Sequence, residues 1–492
     1  MWFGRCLVAA LAVLYLMNLG SAGFLGPDEP RYASIGRAMA ETGDLVTPRL
    51  DGAPWFEKPP LLYWTTAAAT RLGFRDEWAA RLPLALLSIA FLVFFFNLLQ
   101  REFSPQVALT ATAILGTSMG WIAYSFVAVP DLPMAIALGA ALLVTLFDQR
   151  PGRGWLAGVL LGLAILAKGF VPLALFVPAW VMARGKRIQI LVATFAVGAP
   201  WYILCWLRNG QVFWNEFFWK HHVARFFSTQ LEHVQPVWFY VPILLAGLFP
   251  WTPLVGLLGL RKTWEEPRIR RLGWWVLIGF LFFSFSRGKL PGYLLPLMPA
   301  LAILLAVALS KVSAPSWWLA VCALMLTMLA PAATLLPQGL LVGLRRSTIT
   351  WTNSALWAIP FLAVSIAVWW LARRAEWDKA VLLCGLAAAA GAGAVKVRVF
   401  PALDERVSAR SFWIQHRAEL DGACLETNVR RDWEYGLNYY AHRPFAACDG
   451  AARGNHIAVQ GGRLQVIKPD VARALVPAAP GLVPALVPGR LP

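Results

Sequence analysis

The sequence predicts an all-α polytopic membrane protein of about thirteen transmembrane helices, followed by a small C-terminal α/β domain. Three observations carry this prediction. Hydrophobic residues make up 59% of the 492. Apolar runs of about 20 residues recur along the chain, the length that crosses roughly 30 Å of hydrocarbon. The 25 tryptophans suit aromatic belts at the two membrane interfaces.

The first span covers about residues 6–25, with Arg5 holding the N-terminus inside. A basic residue before an apolar run resembles a signal peptide. However, Asp28 follows at once, and no small-x-small cleavage site stands clear of the run, Gly20-Ser21-Ala22 being the nearest. The segment reads as a retained span. A polar loop, residues 26–78, comes next. Pro30 takes a first-turn position behind Asp28 and Glu29, a normal helix start. Tyr32, Ile35 and Met39 then recur at i, i+3 and i+7, with Arg31, Arg37 and Glu41 facing elsewhere, so this helix lies in the interface. A second short helix is expected at about residues 60–72.

Further spans are expected at about 79–99, 105–124, 132–147, 155–167, 170–183, 188–207, 236–260, 272–286, 292–310, 316–336, 351–372 and 379–397. Counting from an inside N-terminus puts Arg101, Arg150 with Arg153, Arg184 to Arg187, Arg261 to Arg271, Lys311 and Arg373-Arg374 on the cytoplasmic side. All six groups fall where the positive-inside rule requires. The transmembrane domain is thus residues 1–397, and an odd span count leaves the polar tail, 398–492, outside. In that tail a helix is expected from Asp404 to about Leu420, with strands near 423–427, 456–459 and 464–467. Beyond Pro469 the chain is rich in Pro, Ala and Val without periodicity.

The net charge of +18 would suggest nucleic acid in a soluble chain. Here it is accounted for by cytoplasmic anchoring, anionic membrane lipids and a phosphate-bearing substrate, which excludes nucleic acid. Four of six cysteines (Cys6, Cys205, Cys322, Cys384) sit in apolar spans without metal spacing, as packing residues. Cys424 and Cys448 lie in the tail and can pair if it faces an oxidising compartment. No internal repeat of fixed period is visible, which speaks against a transporter.

On this topology the outer side collects Asp28, Glu29, Arg31, Glu57 and Lys58, then Asp131, Lys168, Glu216, Lys220, His221, His222, Arg225, Arg287, Lys289 and Tyr293. An ionisable group at a span end is costly unless paired or hydrated, so each is a functional candidate. Each also has a plain structural reading. Asp28 and Asp131 can cap the helices that follow them. Lys58, Arg287 and Lys289 can be interfacial anchors, and Tyr293 a belt residue. The histidine pair can be a surface pair. Their shared depth is what favours chemistry. Cations there can hold a lipid-linked phosphate and stabilise it as a leaving group. A carboxylate such as Asp28, Glu29 or Asp131 can take the proton of an attacking hydroxyl. That combination describes glycosyl transfer from a polyprenyl phosphate sugar.

Specific motifs point the same way. GPDEPRYA and DLVTPRLDGAPWFEKPPLLYW resemble the first outer loop of lipid-carrier-dependent glycosyltransferases, of the aminoarabinose (lipid A) transferase and protein O-mannosyltransferase-like family. VAVPDLPM resembles that family's second acidic motif. LAKGF, FFWKHHVARFF and FSFSRGKLPGYLLPLMPALA resemble its later signatures, so that the likeness spans about residues 24–300. The resemblance implies the C-superfamily glycosyltransferase fold, with interfacial helices in the first loop and a periplasmic C-terminal domain. It makes Asp28 the principal catalytic carboxylate and Asp131 the second. Lys58, Arg225 and Tyr293 would hold undecaprenyl phosphate; Arg31, Arg287, Lys289 and Lys168, singled out by their shared depth rather than by the resemblance, are further candidates for binding the carrier phosphate. A divalent metal, zinc or magnesium, would fall on Glu57 with His222 or His221. The implied partners are an undecaprenyl-phosphate-linked sugar and a lipid A-like glycolipid. The implied location is a bacterial inner membrane, with the protein a monomer, N-terminus cytoplasmic and C-terminus periplasmic. Two departures bear on specificity: Lys220 stands where aminoarabinose transferases have an acidic residue before the histidine, and the tail is short. Hexose transfer to protein or another glycan, and flipping of a lipid-linked sugar, are the competing readings.

Overall fold

The computed structural model describes residues 2–224, 235–286, 288–312, 316–342, 354–448 and 454–468. Most of the chain is helical. In order come α1 (Trp2–Leu16), α2 (Asp28–Thr42), the hairpin β1 (Arg49–Leu50) and β2 (Ala53–Pro54), and α3 (Leu61–Arg71). Then follow α4 (Asp76–Glu102), α5 (Pro105–Thr117), α6 (Met119–Tyr124), α7 (Asp131–Leu146), α8 (Arg153–Lys168), α9 (Val171–Met182) and α10 (Arg187–Phe213).

Among the described residues six helices are long and apolar enough to cross a membrane, or seven if one bent pair counts as a single span. That is fewer than the thirteen expected, because α1, α7 and α9 are shorter apolar helices and other expected spans are broken. Pro291–Ser310 is the innermost of the six, with 94% of its apolar window buried, whereas only 11% of Leu356–Arg373 is covered by protein. So large an exposed apolar face is stable only against lipid.

Two expected spans are interrupted. The run at 105–124 breaks at Ser118, and the run at 236–260 folds back by 115° between Val237–Gly247 and Thr252–Gly259. The two breaks hold each other. The Met119 amide donates to the Phe249 carbonyl at 2.9 Å, and the Trp251 indole donates to Thr117 Oγ1 at 2.8 Å. Gly120 permits the approach, since a Cβ there would come 3.2 Å from the Gly247 Cα. Pro250 has no amide to continue a helix.

Opposite the first loop, the basic turns gather. Arg150 and Arg153 bind Asp148 at 2.6 and 3.0 Å, and Lys186 donates to the Asp148 carbonyl at 2.7 Å. Arg268 reaches Glu102 at 3.4 Å and stacks on Phe103 and Phe147.

The helix Trp377–Arg406 runs through the boundary expected at 397. Its buried Lys396 explains why: the ammonium donates to the Leu14 and Met17 carbonyls at 2.9 and 2.7 Å, where α1 ends. The tail then forms the short helix Arg410–His416, the helix Arg431–Ala441 and a three-stranded sheet in the order β3 (Cys424–Leu425), β4 (His456–Gln460), β5 (Arg463–Ile467). The helix expected to Leu420 thus divides at residues 407–409. Cys424 and Cys448 are disulfide-bonded. The stretch beyond Pro469 lies outside the described residues.

Candidate active site

The first loop is built on a buried ion pair. Glu29 and Arg81, 0% and 1% exposed, bond through both carboxylate oxygens at 2.7 and 2.8 Å. Glu29 also accepts the Leu25 and Ala128 amides, and Arg81 donates to the carbonyls of Leu19, Ala22 and Gly23. Every strong group is satisfied, the condition under which such a pair is tolerated in the interior. Glu29, expected among the catalytic carboxylates, is therefore placed as the clamp that holds the turn before α2 to α4 and to the approach of α7.

With the clamp closed, α2 presents Asp28 and Arg31 one turn apart. Tyr32, Ile35 and Met39 are buried on the face expected for them, and Gly36 packs tightly against α3, where a Cβ would meet Thr66 at 2.6 Å. Asp28 is the first residue of α2, one position past the cap residue Pro27. Its Oδ1 is bound by Arg31, and its side chain remains 45% exposed. Arg31 also lies 3.3 Å from Glu57, whose other oxygen binds Lys58 at 2.9 Å. Asp28, Arg31, Glu57 and Lys58 thus form one alternating chain of charge. Tyr32 and Tyr63 line it and lie within electrostatic reach of Glu57 and Asp28.

A second group stands beside the first. Asp131, which likewise opens its helix, is bound by Lys168 from the end of α8. The Lys168 ammonium sits 4.4 Å over the Tyr293 ring. The two groups meet at Tyr124, which lies within electrostatic reach of both Asp131 and Asp28 and packs against Gly292. Gly292 makes this possible: a Cβ there would come within 2.6 Å of Asp131 Oδ1 and 2.7 Å of the Tyr124 hydroxyl.

Of the other expected site residues, Lys289 is buried and donates to the carbonyls of Gln235, at 2.9 Å, and Ser286, so it braces its own loop. Burial lowers its ammonium below the usual lysine value. Arg225 and Arg287 lie outside the described residues, as do the side chains of His221 and His222, whose backbone belongs to the helical segment Trp214–Ala224. Three participants were missed by sequence reasoning. Arg81 had a signal, a lone arginine entering an apolar run. Tyr124 looks like any belt tyrosine. Tyr435, in the tail helix Arg431–Ala441, stacks on Arg31 at 5.3 Å, and nothing in its sequence context marks it.

The fold, with this paired carboxylate–cation arrangement at one end of a helical membrane bundle, has relatives among known proteins. Residues 57–205 match the family model for dolichyl-phosphate-mannose-protein mannosyltransferase. Undecaprenyl phosphate-alpha-4-amino-4-deoxy-L-arabinose arabinosyl transferase of Pseudomonas aeruginosa (strain LESB58) is 33% identical over 327 residues, 62% of this chain and 59% of that protein. The transferase 2 of that name from Sodalis glossinidius (strain morsitans) is 35% identical over 334 residues, again 62% and 59%. The chain thus spans about three fifths of the length of the curated relatives it matches. Among solved structures, apo ArnT from Cupriavidus metallidurans superposes with a TM-score of 0.75 at 25% identity, covering 91% of this chain and 86% of that one. The same protein bound to undecaprenyl phosphate gives a TM-score of 0.70, also at 25% identity with 91% and 86% covered. The resemblance to the aminoarabinose transferase and protein O-mannosyltransferase-like family, read from the motifs, is borne out.

Proposed function

We propose that this chain is an inverting glycosyltransferase that moves a sugar from undecaprenyl phosphate to lipid A or a related envelope glycolipid, at the periplasmic face of a bacterial inner membrane. The observation that carries the reading is the chain Asp28–Arg31–Glu57–Lys58 lying beside Asp131–Lys168–Tyr293 at one end of the bundle. The names of the curated relatives support 4-amino-4-deoxy-L-arabinose as the sugar.

In the proposed reaction the acceptor hydroxyl attacks the anomeric carbon from the face opposite the phosphate. The new C–O bond forms as the bond from that carbon to the phosphate oxygen breaks, with inversion. The hydroxyl proton passes to Asp28, whose Oδ2 has no protein partner among the described residues. The electron pair leaves on undecaprenyl phosphate, where Lys58, with Arg225 and Tyr293, offsets the growing charge. Asp131, held by Lys168, orients the acceptor or the sugar. For a divalent metal the ligands would be Glu57 and His221 or His222. Both Glu57 oxygens are engaged by cations, so the ligand set must open before it could take another, and no step is routed through a metal.

The family model that matches residues 57–205 favours a second reading, hexose transfer to protein. Purified protein supplied with extracted polyprenyl phosphate sugars and with lipid A or periplasmic protein decides between them. Lipid A is expected to gain the mass of the sugar. A mass gain on protein would replace the first reading with the second, and movement of lipid-linked sugar across proteoliposomes without product would remove both.

A further inference from the structure

The tail helix Arg431–Ala441 touches the first loop at several points. Tyr439 offers its carbonyl to Arg37 at 2.9 Å and its ring to the same guanidinium at 4.1 Å. Tyr440 donates to Glu77 at 2.5 Å and accepts the Phe24 amide at 3.2 Å. Arg410, from the preceding tail helix, reaches Glu77 at 3.3 Å and the Gly20 carbonyl at 2.7 Å. These contacts fix the tail against α2 and the start of α4. They also bring Tyr435 over Arg31, the residue that joins Asp28 to Glu57.

Arg31 needs that ring. Its side chain is 8% exposed, and its Nη2 serves both carboxylates. Its Nε is buried without a hydrogen-bond partner. Such a group loses hydration with no donor–acceptor compensation, and aromatic faces are the remaining source of electrostatic support. Three surround the guanidinium, from three different segments: Tyr32 at 5.6 Å, Trp55 at 5.5 Å and Tyr435 at 5.3 Å. Tyr32 and Trp55 come from the first loop itself. Tyr435 alone of the three comes from the tail. Its hydroxyl is turned to Arg431, at 3.4 Å, and not to the carboxylates.

We propose that Tyr435 is a positioning residue of the active site: its ring fixes the Arg31 guanidinium between Asp28 and Glu57, so that the C-terminal domain completes the catalytic end of the membrane domain. This rests on the glycosyl-transfer reading for its kinetic consequence, but not for its geometry. The ring, not the hydroxyl, carries the effect. Losing it leaves Arg31 free to swing off Asp28 and Glu57. The sugar-transfer step then slows more than donor binding weakens, since Lys58 remains in place.

Two measurements test this on the full-length protein in detergent. In the first, Tyr435→Leu is expected to lower kcat roughly tenfold with donor KM changed less than about threefold, while Tyr435→Phe stays within about twofold of wild type. Equal loss in the leucine and phenylalanine variants, or wild-type kcat in Tyr435→Leu, would overturn the proposal. The second needs no activity. Arg31 modification by phenylglyoxal, followed by peptide mass spectrometry, is expected to be slow in wild type and Tyr435→Phe and several-fold faster in Tyr435→Leu. Unchanged labelling in Tyr435→Leu, with thermal unfolding showing the variant folded, contradicts the inference. If no protein forms a glycosidic product, the functional reading has failed, and the labelling result still decides the role of Tyr435.

Discussion

Arg31 and Glu57 lie 3.3 Å apart, and that ion pair joins α2 to the Glu-Lys-Pro segment of the first loop. Each partner has a second attachment, Arg31 to Asp28 and Glu57 to Lys58. The four residues therefore respond together. Neutralising Glu57 removes the bridge while leaving its shape, so Glu57→Gln is expected to lower kcat/KM for the lipid-linked donor by about tenfold to a hundredfold, the scale of charge-assisted hydrogen bonds. Steady-state kinetics with varied donor checks this. Kinetics equal to wild type would mean that Glu57 does not hold the two cations for catalysis.

The Glu29–Arg81 pair predicts a different phenotype, one of stability. Glu29→Gln leaves a buried guanidinium without its counter-charge, which costs about 3–5 kcal/mol. Thermal unfolding in detergent should show a large drop, or the variant should fail to accumulate in the membrane. A stable Glu29→Gln protein that folds normally but transfers no sugar would instead give Glu29 the chemical role first expected of it.

Gly292 offers the opposite case, a small change beside the site. An alanine Cβ would press on Asp131 Oδ1 and the Tyr124 hydroxyl at 2.6 and 2.7 Å. Gly292→Ala is expected to cut transfer at least tenfold with roughly 1–3 kcal/mol of destabilisation, the range for overpacking. Activity and unfolding measured on one preparation separate the two effects, and full activity would show that the loop shifts without disturbing Asp131.

Docking of the tail should depend on pH through His442, which follows the tail helix and sits 3.4 Å from Arg37. Burial, and then the Arg37 charge, hold its imidazole below the ordinary value of 6.5, while Glu41 and Asp76 act the other way. A histidine depressed in the docked state binds its proton more weakly there than when released. The docked state therefore has its full relative stability above about pH 6.5 and loses it as pH falls through the depressed value. Limited proteolysis of the tail at pH 7.5 and pH 5 should show faster cleavage in acid, and His442→Gln should flatten the difference.

Much of this was legible in the chain. The Tyr32, Ile35 and Met39 spacing identified the buried face of α2, and the strands at 456–459 and 464–467 were placed within a residue at each end. The motifs named Asp28, Asp131, Lys58 and Lys168, which the fold gathers in two adjoining groups. What escaped depended on contacts between distant segments. Apolar composition hides the breaks at Ser118 and Pro250, because each is satisfied by the other rather than by a local turn signal. The last long helix runs to Arg406, past the boundary expected at 397, and its Lys396 binds the C-terminal carbonyls of α1 inside the bundle, a contact between distant segments. Glu29 looked like a twin of Asp28, and only the position of Arg81 separates their roles.

The most direct test of the account is transfer by purified Asp28→Asn protein. Asparagine keeps the side chain's shape and a hydrogen bond to Arg31 but cannot take the acceptor proton. With undecaprenyl-phosphate-linked aminoarabinose and lipid A supplied, the account predicts a folded, membrane-inserted protein whose transfer has fallen by at least about a hundredfold, the scale of general-base catalysis. Transfer near the wild-type rate would contradict it.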